Sequence, residues 1–118
     1  MPVRVTSGFL TTTAPSIDGY DVVQTFGVVR GIVVRSRSAF GQIGAKLQTL
    51  FGGDITILRD LCERARAEAF DEVVAHATAV GANALIAMRY DATEIMEGVS
   101  EVLCYGTAVR VAPRMRQE

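Results

Sequence analysis

A chain of 118 residues, 49% of them apolar, is long enough to bury one core without disulfide or metal staples, so a single domain over residues 1–118 is expected. The net charge of −1, from 12 basic and 13 acidic side chains scattered without a basic run, excludes the electrostatic footprint of a nucleic-acid or anionic-membrane binder. The longest apolar stretches, residues 28–34 and 103–111, are interrupted by Arg30 and Arg110 and fall short of the ~20 residues of a membrane span.

In chain order, residues 9–14 contain Thr11, Thr12 and Thr13, whose β-branched side chains favour a strand that stops at Pro15. Ser16, Asp18 and Gly19 supply turn chemistry. Residues 20–35 are rich in Val, Ile, Thr and Phe and predict a long strand, or two strands meeting near Gly27, with Gly27 and Gly31 as bulges or places of close backbone approach. Ser38 is placed to cap a first helix whose apolar residues Phe40, Ile43, Leu47, Leu50 and Phe51 recur at steps of three and four, ended by Gly52 and Gly53.

Asp54 is the expected N-cap of a second helix of about 25 residues that ends at Gly81 in the left-handed C′ position. Its expected inward stripe is Leu58, Leu61, Cys62, Ala65, Ala69, Val73, His76 and Val80, with Glu63, Arg64, Arg66, Glu68, Asp71 and Glu72 mostly towards water. Residues 83–93 then predict a strand, residues 94–100 a glycine-containing connection, and residues 101–112 a last strand. The core is thus expected over residues 9–112, with residues 113–118 a polar, frayed tail.

The patterning inside the strands says more than their positions. Leu103, Tyr105, Val109 and Val111 alternate with Val102, Cys104, Gly106 and Ala108, so neither face of that strand is made for water. The same holds for Val22, Phe26, Val28, Ile32 and Val34 against Val23, Val29 and Val33. An antiparallel sheet with one solvated face would show clean apolar/polar alternation. The expected fold is therefore two-layer α+β, an antiparallel sheet with two helices on one face, whose second face is covered by further copies of the chain.

No catalytic residue, metal ligand or cofactor-binding residue follows from motif spacing, and no cofactor is implied. His76, the only histidine, falls on the expected apolar stripe and reads as a buried or half-buried neutral imidazole bonded to a carbonyl or hydroxyl rather than a general base. Cys62 and Cys104 belong to no Cys-x-x-Cys pair and read as reduced, buried small hydrophobes; Cys62 lies about 21 Å from His76 along a helix rising 1.5 Å per residue. Gly27-Val28-Val29-Arg30-Gly31 and Gly41-Gln42-Ile43-Gly44-Ala45-Lys46 meet neither the Walker A nor the dinucleotide spacing. Asp91, Glu94, Glu97 and Glu101, with Arg89 at their edge, read as the solvated edge of a hairpin rather than a site for a hard cation. The soft ligands Met88, Met96, Cys104 and Cys62 are not grouped, so protein purified without added metal is expected to carry no stoichiometric zinc or copper.

The strand Leu10-Thr11-Thr12-Thr13, the turn at Gly19, the strand of residues 22–31, Gly52-Gly53, Ala65-Arg66 with Ala69-Phe70, Gly81-Ala82-Asn83-Ala84 and Gly106-Thr107-Ala108-Val109 together resemble the YbjQ-like proteins, in order over residues 10–111. The resemblance implies a subunit related in outline to dodecin, a five-fold ring joined partly by short extra strands, and a family label of heavy-metal binding. One departure stands out: after Gly52-Gly53 many relatives carry a basic residue, a serine and a tyrosine, where this chain has Asp54-Ile55-Thr56-Ile57-Leu58. Residues 1–6 lack the apolar stretch of a secretory signal, so a cytoplasmic place is expected. The leading reading is an oligomeric, non-enzymatic binding or scaffolding protein, a homopentamer, with any small ligand or metal ion at subunit interfaces and no nucleic acid or membrane as partner. Metal binding is the second reading, and a small hydrolase or isomerase using Arg30, Arg89 and Asp91 the third.

Overall fold

The computed structural model describes residues 4–6, 8–36 and 56–115. The expected helix over residues 40–51, its Ser38 cap, the Gly41–Lys46 run, the Gly52-Gly53 stop and the Asp54 cap lie outside the described residues. Among the described residues five strands, β1 (Arg4–Thr6), β2 (Phe9–Thr11), β3 (Tyr20–Ser36), β4 (Ala84–Met96) and β5 (Val99–Pro113), form one sheet in the order β1-β2-β4-β5-β3. One helix, α1 (Thr56–Ala79), lies across it among the described residues. None of these is a helix long and apolar enough to cross a membrane.

The sheet is mixed, where antiparallel pairing was expected. β2 runs parallel to β4, with Leu10 opposite Ala84 and Thr11 opposite Leu85, while the other pairs are antiparallel. No hairpin joins β2 to β4. The chain between them passes through β3 and α1, and a crossover containing a helix can bring a strand back in the same direction. β2 is also shorter than the threonine run suggests, because the Thr12 hydroxyl accepts a hydrogen bond from the Ala14 N–H at 3.1 Å and turns the chain before Pro15.

β3 is one continuous strand. Its register slips between Val22 and Gln24 and again between Thr25 and Gly27, and Gly27 takes φ +107° there, a backbone that L side chains rarely adopt. Gly31 has a different task. A Cβ built on it would lie 2.2 Å from the Ala69 carbonyl oxygen and 2.6 Å from the Val73 nitrogen, so the helix backbone rests directly on this residue.

That contact sets which face of α1 is buried. Ala65, Ala69, Val73 and Ala77, spaced by four, are buried together with Phe70. Three members of the expected stripe, Cys62, His76 and Val80, are exposed, and Leu61 is half-buried. Steps of three and of four both fit a helical face, and an alanine at position 77 carries no hydrophobic signal to choose it over position 76. The helix ends as its sequence predicts: Gly81 has φ +101°, its N–H reaches the Thr78 carbonyl at 3.0 Å and the Ala82 N–H the Ala77 carbonyl at 3.0 Å. Asn83 then clips the junction to β5, accepting from the Val111 N–H at 2.8 Å and donating to the Val111 carbonyl at 3.0 Å.

The main core lies between α1 and the sheet and contains Phe9, Val29, Val33, Leu85, Cys104 and Ala108. A smaller cluster on the far side joins Ile17 to Ala84, Val109 and Val111, so the segment after β2 folds over one half of the second face. The expected loop over residues 94–100 contracts to a two-residue turn, Glu97-Gly98, in which Gly98 supplies φ +77°.

Candidate functional site

β3 is a sheet edge, and an edge strand offers unpaired N–H groups to any passing chain. Here α1 takes them. Glu72 Oε2 accepts from the Ile32 N–H at 3.1 Å, Glu68 pairs with the Arg35 guanidinium, and His76 Nδ1 lies 3.3 Å from both the N–H and the carbonyl oxygen of Arg30. These three side chains sit at steps of four on one helical stripe. His76 therefore sits against the edge at Arg30, as an exposed residue rather than the buried or half-buried one expected. Its replacement, His76→Gln, keeps a donor and an acceptor and should cost no more than about 1 kcal/mol in a thermal or urea melt; the loss of a bound metal on that replacement would contradict this role.

The far side of the sheet also carries exposed side chains. Residues directly opposite on antiparallel strands project to one face. Cys104, Gly106 and Ala108 are buried on the helix side, the first and last within the main core, so Leu103, Tyr105 and Thr107 point away from it. Tyr105 is opposite Arg30 on one flank and opposite Arg89 on the other, which makes a row Arg30, Tyr105, Arg89 across three strands. Asp91 follows on the same face, opposite Leu103.

Arg89 reaches that face through a bulge. The ladder jumps between Ile86 and Arg89, and Ala87 sits at φ +53°. Its N–H bonds the Ala14 carbonyl at 2.8 Å, and the Met88 N–H bonds the Thr12 carbonyl at 3.0 Å. The extra residue reverses the side-chain alternation; without it Arg89 would face α1. Arg89 Nη1 donates to the Thr13 carbonyl at 2.7 Å and to the Met88 carbonyl at 2.9 Å. No motif spacing announces this bulge, since Ala87 carries none of the glycine signal that marks Gly27.

Three groups singled out in the sequence, Arg30, Arg89 and Asp91, are thus brought together on an open face, not in a cleft. The acidic set is divided. Asp91 and Glu101 share the far side, Glu94 opposite Ser100 takes the other, and Glu97 occupies the turn. Among the described residues no three His, Cys, Asp or Glu side chains converge as a metal group. The soft ligands are equally dispersed: Met88 and Cys104 pack in the core, Met96 is exposed beside the turn, and Cys62 is exposed on α1. The Gly27–Gly31 run is strand, not a phosphate-binding loop.

The expectation of two buried cysteines is corrected for Cys62. Burial pushes the Cys104 thiol up from 9.0 to about 11, against a hydrogen bond from Tyr90 that pulls it down. At pH 8 this leaves roughly a hundredth of the ordinary thiolate fraction. Ellman's reagent should label one thiol per chain quickly and the second only on unfolding; two equally fast thiols would contradict the burial of Cys104.

A family model described as "Putative heavy-metal-binding" matches residues 9–112. A "UPF0145 protein" of Solibacter usitatus is 60% identical over 102 residues, covering 86% of this chain and 91% of the relative. One from Burkholderia cenocepacia is 56% identical over 111 residues, covering 94% and 86%, and one from Chromobacterium violaceum 57% identical over 109 residues, covering 92% and 93%.

Proposed function

Because the chain belongs to the YbjQ family, we propose that it works in the cytoplasm as a non-enzymatic binding or scaffolding protein built from several copies, with five-fold closure. The observation that carries this reading is the state of the far sheet face. Ile17 covers Val109, which is 1% exposed, whereas Val28, Ile32 and Val34 on the same face of β3 are 76, 37 and 50% exposed. Soluble chains rarely leave a row of aliphatic side chains on a sheet uncovered. Face-to-face burial between copies would cover this row.

Size exclusion coupled to light scattering tests the proposal. The expected mass is about five times the 12.7 kDa chain, and a non-aggregating single chain at micromolar concentration would sink it. The family description supports a second reading, in which a metal ion is held between copies; one metal per chain by elemental analysis after dialysis would promote it.

A further inference from the structure

We propose that the cleft between α1 and β4 is a binding site for a basic α-amino acid of the lysine kind. The cleft, about 380 Å³ in volume, is lined by Glu63, Arg66, Ala67, Phe70, Asp71 and Tyr90, and its size is that of a small-molecule site. It lies on the α1 side of the sheet, because Tyr90 is directly opposite the core residue Cys104. It is complete within one chain and does not depend on burial of the far face between copies. Its walls are preformed: Phe70 is buried, and the Tyr90 side chain hydrogen-bonds the buried Cys104 thiol, which sets the direction of the tyrosine ring.

The charges are ordered along the helix. Glu63, Ala67 and Asp71 follow one another at steps of four on one stripe, so the two acidic residues stand about 12 Å apart along the axis with only a methyl group between them. Arg66 lies beside Glu63 at a step of three. Among the described residues none of the three charged side chains belongs to an ion pair. Lysine carries the complementary order: its α-carboxylate meets the Arg66 guanidinium bidentately, its α-ammonium meets Glu63, and its side chain runs over Ala67 to bring the ε-ammonium to Asp71. The methylene groups then lie against Phe70 and Tyr90, whose ring faces also attract a cation. Two carboxylates and one guanidinium leave the cleft one net negative charge, which the single net positive charge of lysine cancels. A diamine would leave Arg66 unmatched, and a neutral amino acid would leave Asp71 unmatched.

The test is calorimetric titration of the full chain with L-lysine at low salt, with light scattering on the same samples. Saturable binding should weaken about tenfold or more in Asp71→Asn and in Arg66→Gln, each of which removes one charge-assisted contact, and be unchanged in Arg64→Gln, which removes a charge from the exposed surface of α1 outside the cleft. Norleucine, without the ε-ammonium, and cadaverine, without the carboxylate, should each bind about tenfold or more weakly than lysine. Absence of saturable lysine binding, undiminished binding by the Asp71→Asn or Arg66→Gln chain, or equal binding of norleucine or cadaverine would each overturn the assignment. A single chain that binds lysine in this pattern would sink the assembly reading and keep this one; an assembled chain with no Asp71-dependent binding would do the reverse.

Discussion

Gly31→Ala should be the most damaging single-methyl change in this protein, lowering stability by about 3 kcal/mol or more and the melting temperature by on the order of 10 °C. The added carbon would meet the Ala69 carbonyl oxygen at 2.2 Å, the Val73 nitrogen at 2.6 Å and the Glu72 Cβ at 2.8 Å. Two of these are helix backbone atoms, which no rotamer change can move. Relief requires α1 to lift from β3, and this would loosen Ala69 and Val73 in the core and pull Glu72 and His76 from the strand edge. Two control variants calibrate the effect. Gly106→Ala meets nothing closer than 3.0 Å, and Gly27→Ala meets nothing within 4 Å but sits at φ +107°, a backbone penalty of roughly 1–2 kcal/mol. If Gly31→Ala melts with or above Gly27→Ala at the same protein concentration, the close seat of the helix is wrong.

Val28→Asp should leave the subunit folded and take the assembly apart. At 76% exposure the side chain contributes little to its own chain beyond a strand preference of less than about 1 kcal/mol. In the proposed assembly the same carboxylate would be buried once per subunit, at a cost of several kcal/mol each. The expected result is an unchanged far-ultraviolet spectrum with the mass of one chain. Sequence patterning alone points to Tyr105 or Val109 as the place for such a charge. Val109, however, is covered by Ile17 within the chain, so a charge there tests folding and not assembly. A Val28→Asp chain with the mass of the unaltered protein would remove this stretch of β3 from the interface.

The long strand, the long helix and its glycine stop are legible in the sequence because each rests on local chemistry: β-branched runs, a helical period and a residue free to adopt positive φ. The two roles foreseen for glycines in β3, bulge and close approach, fall to Gly27 and Gly31 respectively. What depends on three dimensions is not legible. The parallel pairing of β2 with β4 joins residues more than seventy positions apart. The choice of Ala77 over His76 as a buried position follows from where Gly31 seats the helix, and a small side chain gives no warning of it.

The candidate site divides in the same way. Arg30, Arg89 and Asp91 stand out as charges within apolar strands, yet their meeting on one face depends on the bulge at Ala87. Tyr105, which lies between the two arginines, reads from the sequence only as an apolar-face residue. The covering of Val109 by Ile17 is likewise hidden, because Ile17 belongs to a segment whose composition signals a turn.

The most direct test of the claim that copies meet on the open half of the sheet is the reactivity of a thiol placed at Val28. In a Cys62→Ser background, a Val28→Cys chain should react with a maleimide at least tenfold more slowly when assembled than when diluted or mutated to a single chain. An assembled particle whose position 28 reacts as fast as in the isolated subunit would contradict the account.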